Sequence, residues 1–344
     1  MDKFLIVRLS SLGDIIHTLP AFQALRKNFP EAKITWLVEE KGRQILDLVP
    51  GIDRVISFRL KGKSPFSIQF WKESRKLLKS IRDKEQTVID FQGLIKSGVL
   101  CFLSRAKKRI SFNRENLREK TASWFYTETL EKLDENMHVI QKNLRLLDIL
   151  GIHEEKYEFP LLIPNDLKDK IDIMLAGLGY SSGKKIILFN VGAAWETKLW
   201  PADKWKELIE RLSKARKDIF PLLLWGAENE KKIADEVRKH IDAASVPMLS
   251  IQTAIALINQ ADLVVSGDTF ALQAACALSR PVVGIFGPTN PKRNGPFRPQ
   301  DKVVFHEIEC SYCYKRTCPN CLCLEKTTAE ETAYLSLQAL EENE

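Results

Sequence analysis

Short apolar runs alternate with amphipathic stretches along most of this chain of 344 residues, and this alternation narrows the choice of fold more than any other feature. In the first half, strand-like runs occur at 4–9, 34–38, 54–58, 87–91 and 109–112, with helical patterns between most of them. Strands that alternate with helices form βαβ units and a parallel sheet. We therefore predict a Rossmann-like α/β domain.

The second half repeats the pattern, with strand-like runs at 185–190, 219–225, 263–266 and 282–286. The chain length also favours two domains, since one domain typically takes about 150 residues. The segment 151–183 is rich in proline, glycine and charge, so we predict a linker there. The sequence thus predicts two Rossmann-like domains.

A membrane-spanning helix needs about 18 or more apolar residues, and no run in the sequence approaches that length. We therefore expect a cytoplasmic protein. The formal net charge of +7 is partly local, at 59–63 and 106–109, and such clusters favour anionic partners. These charges are not interleaved with aromatic residues as on a nucleic-acid-binding surface, so we expect no nucleic acid partner.

Five of the seven cysteines follow the spacing C-x2-C-x4-C-x2-C-x-C near the end of the chain. Disulfides are rare in the cytoplasm. Paired C-x2-C units can hold a tetrahedral metal, so one hypothesis is a structural zinc or iron on Cys310, Cys313, Cys318 and Cys321. The alternative is a loop of reduced thiols.

Polar residues follow several predicted strands, where sheets of this kind bind ligands. Asp14 follows the first strand, and Lys198 follows a later strand and a small-residue turn. Asp268 and Thr269 open an apolar helix. Such turns can hold phosphates, and the alternatives are a solvated lysine and a simple helix cap. The glycine-rich run 177–183 precedes a strand instead of following one, so we predict a helix C-cap and turn there, not a dinucleotide fingerprint.

Five motifs occur in a fixed order: VRLSSLGDIIHTLPAF, DFQGLIKSG, GAAWETKLWP, SGDTFALQAACAL and PVVGIFGPTNPKRNGPF. Together they make the chain resemble the lipopolysaccharide heptosyltransferases, family 9 of the glycosyltransferases. The stretches WLVEE and SWFYTETLEKLDENMHVIQKNLRLL look most like the heptosyltransferase I branch of that family. The resemblance runs in scattered motifs from residue 4 to about residue 297.

The resemblance implies a GT-B architecture, in which two Rossmann-like domains face each other across a cleft. It implies an acceptor domain at 1–165, a nucleotide-sugar domain at 166–325, and a last helix at 326–344 that crosses back to the first domain. The implied reaction is a metal-independent, inverting transfer that needs no cofactor. The donor would be ADP-L-glycero-D-manno-heptose, and the acceptor an octulosonic acid residue on lipid A, at the cytoplasmic face of the inner membrane.

The same resemblance implies a role for individual residues. Asp14 would be the general base, Lys198 would hold the donor diphosphate, and Glu230 would bind the nucleotide ribose. The expected donor-binding residues are Ala193, Ala194, Lys198, Glu230, Asp268, Thr269, Phe270 and Gln273. The expected acceptor-binding residues are Arg8, Ser10, Ser11, Gly13, Arg59, Lys61, Lys63, Asp90, Gln92 and Lys96.

Two positions depart from the family pattern, which has a glycine after the Asp-Thr pair and a histidine three residues further on. Here they are Phe270 and Gln273, which leaves open a family 9 transferase with another nucleotide-sugar donor or a later core acceptor. A binding or scaffold protein with an inactive cleft is the alternative from another class. A nicotinamide-dependent oxidoreductase would need the glycine fingerprint that this sequence lacks.

Overall fold

Two parallel sheets of six strands each form the framework of the protein. The computed structural model describes residues 1–59, 68–239 and 241–343. The chain divides into two units, Met1–Leu162 and Ile163–Glu344, and each unit contains one of the sheets.

The first unit contains six short strands and the helices that connect them. Its strands are β1 (Lys3–Val7), β2 (Lys33–Glu39), β3 (Arg54–Phe58), β4 (Thr87–Asp90), β5 (Lys108–Ser111) and β6 (Glu128–Thr129). Its helices are α1 (Leu12–Asn28), α2 (Glu40–Leu46), α3 (Ile68–Ile81), α4 (Ile95–Leu103) and α5 (Val139–Arg145). Residues 4–7 of β1 are buried throughout, as expected of a central parallel strand covered by helices on both sides.

The strand order in the first sheet is β3-β2-β1-β4-β5-β6, with every pair parallel. The order reverses between β1 and β4, and ligands of such sheets bind at the carboxyl ends of the strands beside this switch point. Asp14 lies in the first turn of the helix after β1, and Asp90 ends β4. Both are therefore at the switch point.

The second unit repeats this topology. Its strands are β7 (Lys185–Asn190), β8 (Ile219–Leu224), β9 (Ala244–Ser245), β10 (Leu263–Gly267), β11 (Val282–Ile285) and β12 (Lys302–Val304). Its helices are α6 (Asn165–Gly177), α7 (Ala202–Ala215), α8 (Glu228–Arg238), α9 (Ile251–Gln260), α10 (Phe270–Ala277), α11 (Pro291–Asn294), α12 (Leu322–Glu325) and α13 (Ala329–Glu341).

The second sheet has the order β12-β11-β10-β7-β8-β9, again parallel throughout, so its switch point lies between β7 and β10. The two sheets confirm the predicted α/β class. Within the described residues, no helix is long and apolar enough to cross a membrane.

The predicted linker is wrong over part of its length, because α6 lies within 151–183. Leu167, Ile171 and Leu175 recur at every fourth residue and are buried, while the residues between them are mostly exposed and charged. The helix ends at Gly177, and Gly179 has a φ of +85°, which confirms the helix end and turn predicted for the glycine-rich run.

The final helix, α13, packs against α7 and the strands β10 to β12 of its own unit. Its buried face consists mainly of small residues, including Ala333, Ser336 and Ala339, which let it lie close to α7. Lys204 holds the segment just before α13, because its Nζ donates to the carbonyls of Leu324, Glu325 and Thr327. The return of this helix to the first domain and the expected limits at 165 and 325 stay predictions.

Candidate active site

Asp14 is held at both carboxylate oxygens. Ser11 is the N-cap of α1, and its backbone N–H and hydroxyl donate to Oδ2 of Asp14 at 3.0 and 2.9 Å. Arg8 Nη2 lies 2.9 Å from Oδ1 of Asp14. The Arg8 side chain is 7% exposed and that of Asp14 is 33% exposed. The carboxylate is therefore fixed in direction and still open to a ligand.

The pKa of Asp14 lies below its ordinary value. Burial raises this pKa, but the charge of Arg8, the neighbouring His17 and the two hydrogen bonds from Ser11 together outweigh burial. Asp14 is thus a carboxylate at neutral pH, able to accept a proton or to bind a hydroxyl donor.

Gln92 ties the end of β4 to the turn before α1. Its Oε1 accepts from the backbone N–H groups of Leu9 and Ser10 at 3.0 and 3.1 Å. Arg8 Nη1 donates to the carbonyl of Phe91 in the same segment. Three of the expected acceptor-binding residues, Ser10, Ser11 and Gly13, therefore lie in the segment that Gln92 ties to the end of β4.

Asp90 lies beneath this turn with no exposed surface. Its Oδ1 accepts from the N–H groups of Gln92 and Gly93 at 2.8 and 3.2 Å, and Tyr126 donates to Oδ2 at 2.7 Å. The Cys101 thiol lies 3.6 Å from the same oxygen. Burial raises the pKa of Asp90 in spite of these donors. Asp90 was predicted to contact an acceptor, but its burial makes it a positioning residue for Gln92.

The other predicted acceptor residues lie further out. Lys96 stands in the first turn of α4, with its Nζ 3.0 Å from Glu39 Oε1. Arg59 follows β3, is 72% exposed and lies 3.8 Å from Glu40. Lys61 and Lys63 lie outside the described residues. Lys96 therefore pairs with Glu39, the last residue of β2, and Arg59 with Glu40, the first residue of α2.

Lys198 and Asp268 form a buried ion pair at the switch point of the second sheet. Lys198 Nζ lies 2.7 Å from Asp268 Oδ2 and 3.0 Å from the Asp268 carbonyl, and the two side chains are 14% and 7% exposed. The same Nζ lies 4.4 Å from the centre of the Trp195 ring. The predicted alternative of a solvated lysine is therefore wrong.

Thr269 caps α10, as expected for one of the two residues before it. Its Oγ1 accepts from the N–H of Ala271 at 3.2 Å and lies 3.0 Å from Ser266 Oγ. Asn190, the last residue of β7, donates to Thr269 Oγ1 and Ser266 Oγ at 3.1 Å. Asn190 and Ser266 were missed as site residues, although a polar residue at the end of an apolar strand was the available signal.

The Glu230 carboxylate lies against the backbone of Gly192 and Gly226. It accepts from the N–H of Gly226 at 2.7 Å. A Cβ atom placed on Gly192 would lie 2.1 Å from Glu230 Oε2, so any other residue at this position would force the carboxylate to shift. Glu230 is therefore held at the carboxyl ends of β7 and β8, where the predicted ribose contact would be made.

The remaining predicted donor residues differ in exposure. Ala193 is buried and Ala194 is exposed in the turn after β7, and Phe270 is half-buried at the start of α10. Gln273 is 3% exposed, and its Nε2 donates to the Asn294 carbonyl at 2.8 Å. Gln273 therefore joins α10 to the end of α11.

Cys310, Cys313, Cys318, Cys321 and Cys323 line one cavity of about 200 Å³ together with Thr197 and Pro288. All are free thiols. Among residues 1–59, 68–239 and 241–343, no group of three or more His, Cys, Asp or Glu side chains is placed to hold a metal ion. The predicted zinc or iron site is therefore unsupported, and the loop of reduced thiols stays a prediction.

Known proteins resemble this chain over most of its length. The model of glycosyltransferase family 9 (heptosyltransferase) matches residues 74–323. Lipopolysaccharide heptosyltransferase 1 of Pseudomonas aeruginosa is 28% identical over 330 residues, which cover 92% of this chain and 87% of that protein. The Campylobacter coli protein of the same name is 31% identical over 310 residues, covering 85% of this chain and 86% of its own.

Solved structures agree with these relatives. The Escherichia coli heptosyltransferase WaaC with ADP is 26% identical, with a TM-score of 0.78 over 99% of this chain and 100% of that chain. WaaC with ADP-2-deoxy-2-fluoro heptose gives a TM-score of 0.76 over the same shares.

Proposed function

The chain belongs to glycosyltransferase family 9, the heptosyltransferases, and on that premise we propose that it moves a heptose from ADP-L-glycero-D-manno-heptose to an octulosonic acid residue of the lipopolysaccharide inner core. The observation that carries the proposal is the chemistry of the two switch points. One presents an ionised carboxylate, Asp14, and the other presents an ammonium group, Lys198. A carboxylate can take the proton of the acceptor hydroxyl, and a cation can stabilise the negative charge of the departing diphosphate.

The donor half of the proposal rests on the second unit. The WaaC structures hold ADP and an ADP-heptose analogue, and both ligands carry a diphosphate. In this chain, Lys198 and the N-terminus of α10 lie beside the carboxyl ends of β7 and β10, where a diphosphate meets positive charge. Glu230 would accept hydrogen bonds from the ribose hydroxyls.

The transfer step balances without an outside reactant. The acceptor oxygen forms a bond to the anomeric carbon from the face opposite the diphosphate, and the bond from that carbon to the diphosphate oxygen breaks. The acceptor proton goes to Asp14, and ADP leaves with the electron pair of the broken bond. Because the pKa of Asp14 is low, proton transfer comes late, when the hydroxyl oxygen is already bonding to carbon and has become acidic.

The acceptor half rests on the first unit. Ser10 and Ser11 flank the carboxylate, and Lys96 and Arg59 lie near the end of β2 with exposed side chains. An octulosonic acid carries a carboxylate, and cations of this kind bind such groups with charge-assisted hydrogen bonds.

ADP release tests the reaction. Wild-type protein is incubated with ADP-L-glycero-D-manno-heptose, with and without octulosonic acid bound to lipid A. We expect release that depends on the acceptor. Release from another nucleotide sugar and none from ADP-heptose would refute the donor and point to Phe270 and Gln273, the two departures from the family pattern. Folded protein that releases nothing from any donor would favour a binding protein.

We also propose that the first unit docks on the membrane that carries the acceptor. Ile95 and Phe102 lie two turns apart on α4 and are 42% and 56% exposed. The Phe125 ring lies over Gly98 between them, 6.2 Å from the Phe102 ring, and the adjoining Trp124 is 79% exposed. Exposed tryptophan and phenylalanine side chains of this kind insert at the lipid–water boundary.

The charges around this apolar face suit an anionic lipid surface. The exposed cations between Ile95 and Phe125 are Lys96, Arg105, Lys107, Arg114, Arg118 and Lys120, against the acids Glu115 and Glu119. We expect Trp124→Ser to weaken binding to vesicles of phosphatidylglycerol and phosphatidylethanolamine. Met248→Ser, which removes a half-exposed apolar side chain from the second unit, is the control. Equal vesicle binding by wild type and Trp124→Ser would refute this face.

A further inference from the structure

The cysteine-rich loop, residues 310–323, is fastened to the turn that carries Lys198 and to the loop after β11. Thr197, which is 1% exposed, donates its hydroxyl to the carbonyl of Lys315 at 2.7 Å. Tyr314 donates its N–H to the carbonyl of Pro288 at 3.1 Å, and its phenol oxygen accepts from the N–H of Asn290 at 3.3 Å. These contacts fix the residues just before Arg316.

The fastened loop brings a second cation to the ring that Lys198 already contacts. The Arg316 guanidinium carbon lies 5.3 Å from the centre of the Trp195 ring, and Lys198 Nζ lies 4.4 Å from the same centre. A cation–π contact near the protein surface is weak, so Arg316 can turn toward a ligand beside Lys198. The two cations thus share one indole.

The charge balance at this place favours an anionic ligand for Arg316. Lys198 is already neutralised by the Asp268 carboxylate at 2.7 Å. Arg316 is exposed, and within the parts of the chain that the structure describes no carboxylate oxygen lies within 4.0 Å of it. A diphosphate carries two negative charges, which the Lys198–Asp268 pair alone does not balance. A guanidinium matches phosphate oxygens with two parallel hydrogen bonds.

We infer that Arg316 of the cysteine-rich loop is a donor-binding residue, which takes a diphosphate oxygen of the nucleotide sugar while Trp195 keeps its guanidinium beside Lys198. This inference rests on the proposed function, since it assigns the diphosphate to Lys198. It also gives the cysteine-rich loop a role. The loop supplies a positive charge that no carboxylate of the described residues neutralises, whereas Lys198 in the turn after β7 is paired with Asp268.

Calorimetric titration with ADP tests the assignment on the full chain. Arg316→Gln should weaken ADP binding by roughly tenfold to a hundredfold, the usual value of hydrogen bonds to a charged group. Arg316→Lys should recover part of the loss, since it keeps the charge but not the paired donors. The ADP affinity of Arg316→Gln should also fall less steeply with salt than that of the wild type.

Lys315→Gln is the matched control, because it removes a neighbouring exposed charge from the same loop. Its ADP affinity and the unfolding temperature of every variant should equal those of wild type. ADP binding by Arg316→Gln at wild-type strength, or an equal loss in Lys315→Gln, would overturn the inference alone. Wild-type protein that binds ADP but transfers no heptose would refute the proposed function and leave Arg316 standing. A wild type that does not bind ADP would refute both.

Discussion

Replacing Lys198 with methionine should separate the stability of the second unit from its ligand binding. The side chains of Lys198 and Asp268 are 14% and 7% exposed, and their charged atoms are 2.7 Å apart. Lys198→Met leaves the Asp268 carboxylate buried without a counter-charge, which costs about 3 kcal/mol, the lower end of the range for a broken buried pair. For a unit of this size that loss lowers the unfolding midpoint by roughly 6–12 °C.

The double variant Lys198→Met with Asp268→Asn removes the stranded charge, so most of the lost stability should return. ADP binding should stay weak in both variants, because the cation that meets the diphosphate is absent from both. Thermal unfolding followed by circular dichroism and titration with ADP measure the two effects separately. A Lys198→Met protein that unfolds at the wild-type temperature would refute the buried-pair reasoning, and a double variant that regains ADP binding would refute the role of Lys198.

Three further substitutions test other contacts. Gly192→Ala should weaken ADP binding in wild type, because the new Cβ would lie 2.1 Å from the Glu230 carboxylate. In a Glu230→Ala background the same substitution should have little effect on ADP binding. Equal effects in the two backgrounds, measured by titration with ADP, would contradict this. Asp90→Ala should reduce the free energy of unfolding in urea by about 3 kcal/mol, since three donors lose their acceptor, and a loss under about 1 kcal/mol would count against it. Burial raises the pKa of Asp14 and Arg8 is the largest opposing effect, so Arg8→Gln should raise this pKa. Because the ionised form is the base, the acid limb of the kcat/KM profile should move to higher pH, and an unmoved limb would contradict the account.

The sheets and their site loops were predictable because the signals are local. The apolar run in β1 and the polar turn after it lie next to each other in sequence, so Asp14 could be placed at the end of a strand. Lys198 and Thr269 were found in the same way, from small or polar residues after a buried strand. A polar residue that directly follows a predicted strand could therefore be placed at the end of that strand from the sequence alone.

The contacts between distant segments were not predictable from the sequence. Asp90 was expected at the acceptor site from the resemblance alone, and its buried carboxylate accepts from Tyr126, which lies 36 residues further on. The helix α6 was mistaken for a linker because its three buried residues are spaced among charges. Arg316 and Trp195 are more than 100 residues apart in the sequence, and no spacing of residues along the chain predicts that they come into contact.

The role of Asp14 is tested most directly by acceptor-dependent ADP release from ADP-heptose by Asp14→Asn. The matched control is Asp47→Asn, because it removes an exposed carboxylate from the same unit. The account predicts that Asp14→Asn folds and binds ADP as wild type does but loses transfer, while Asp47→Asn keeps it. Transfer by Asp14→Asn at the wild-type rate would contradict the claim that this carboxylate is the base.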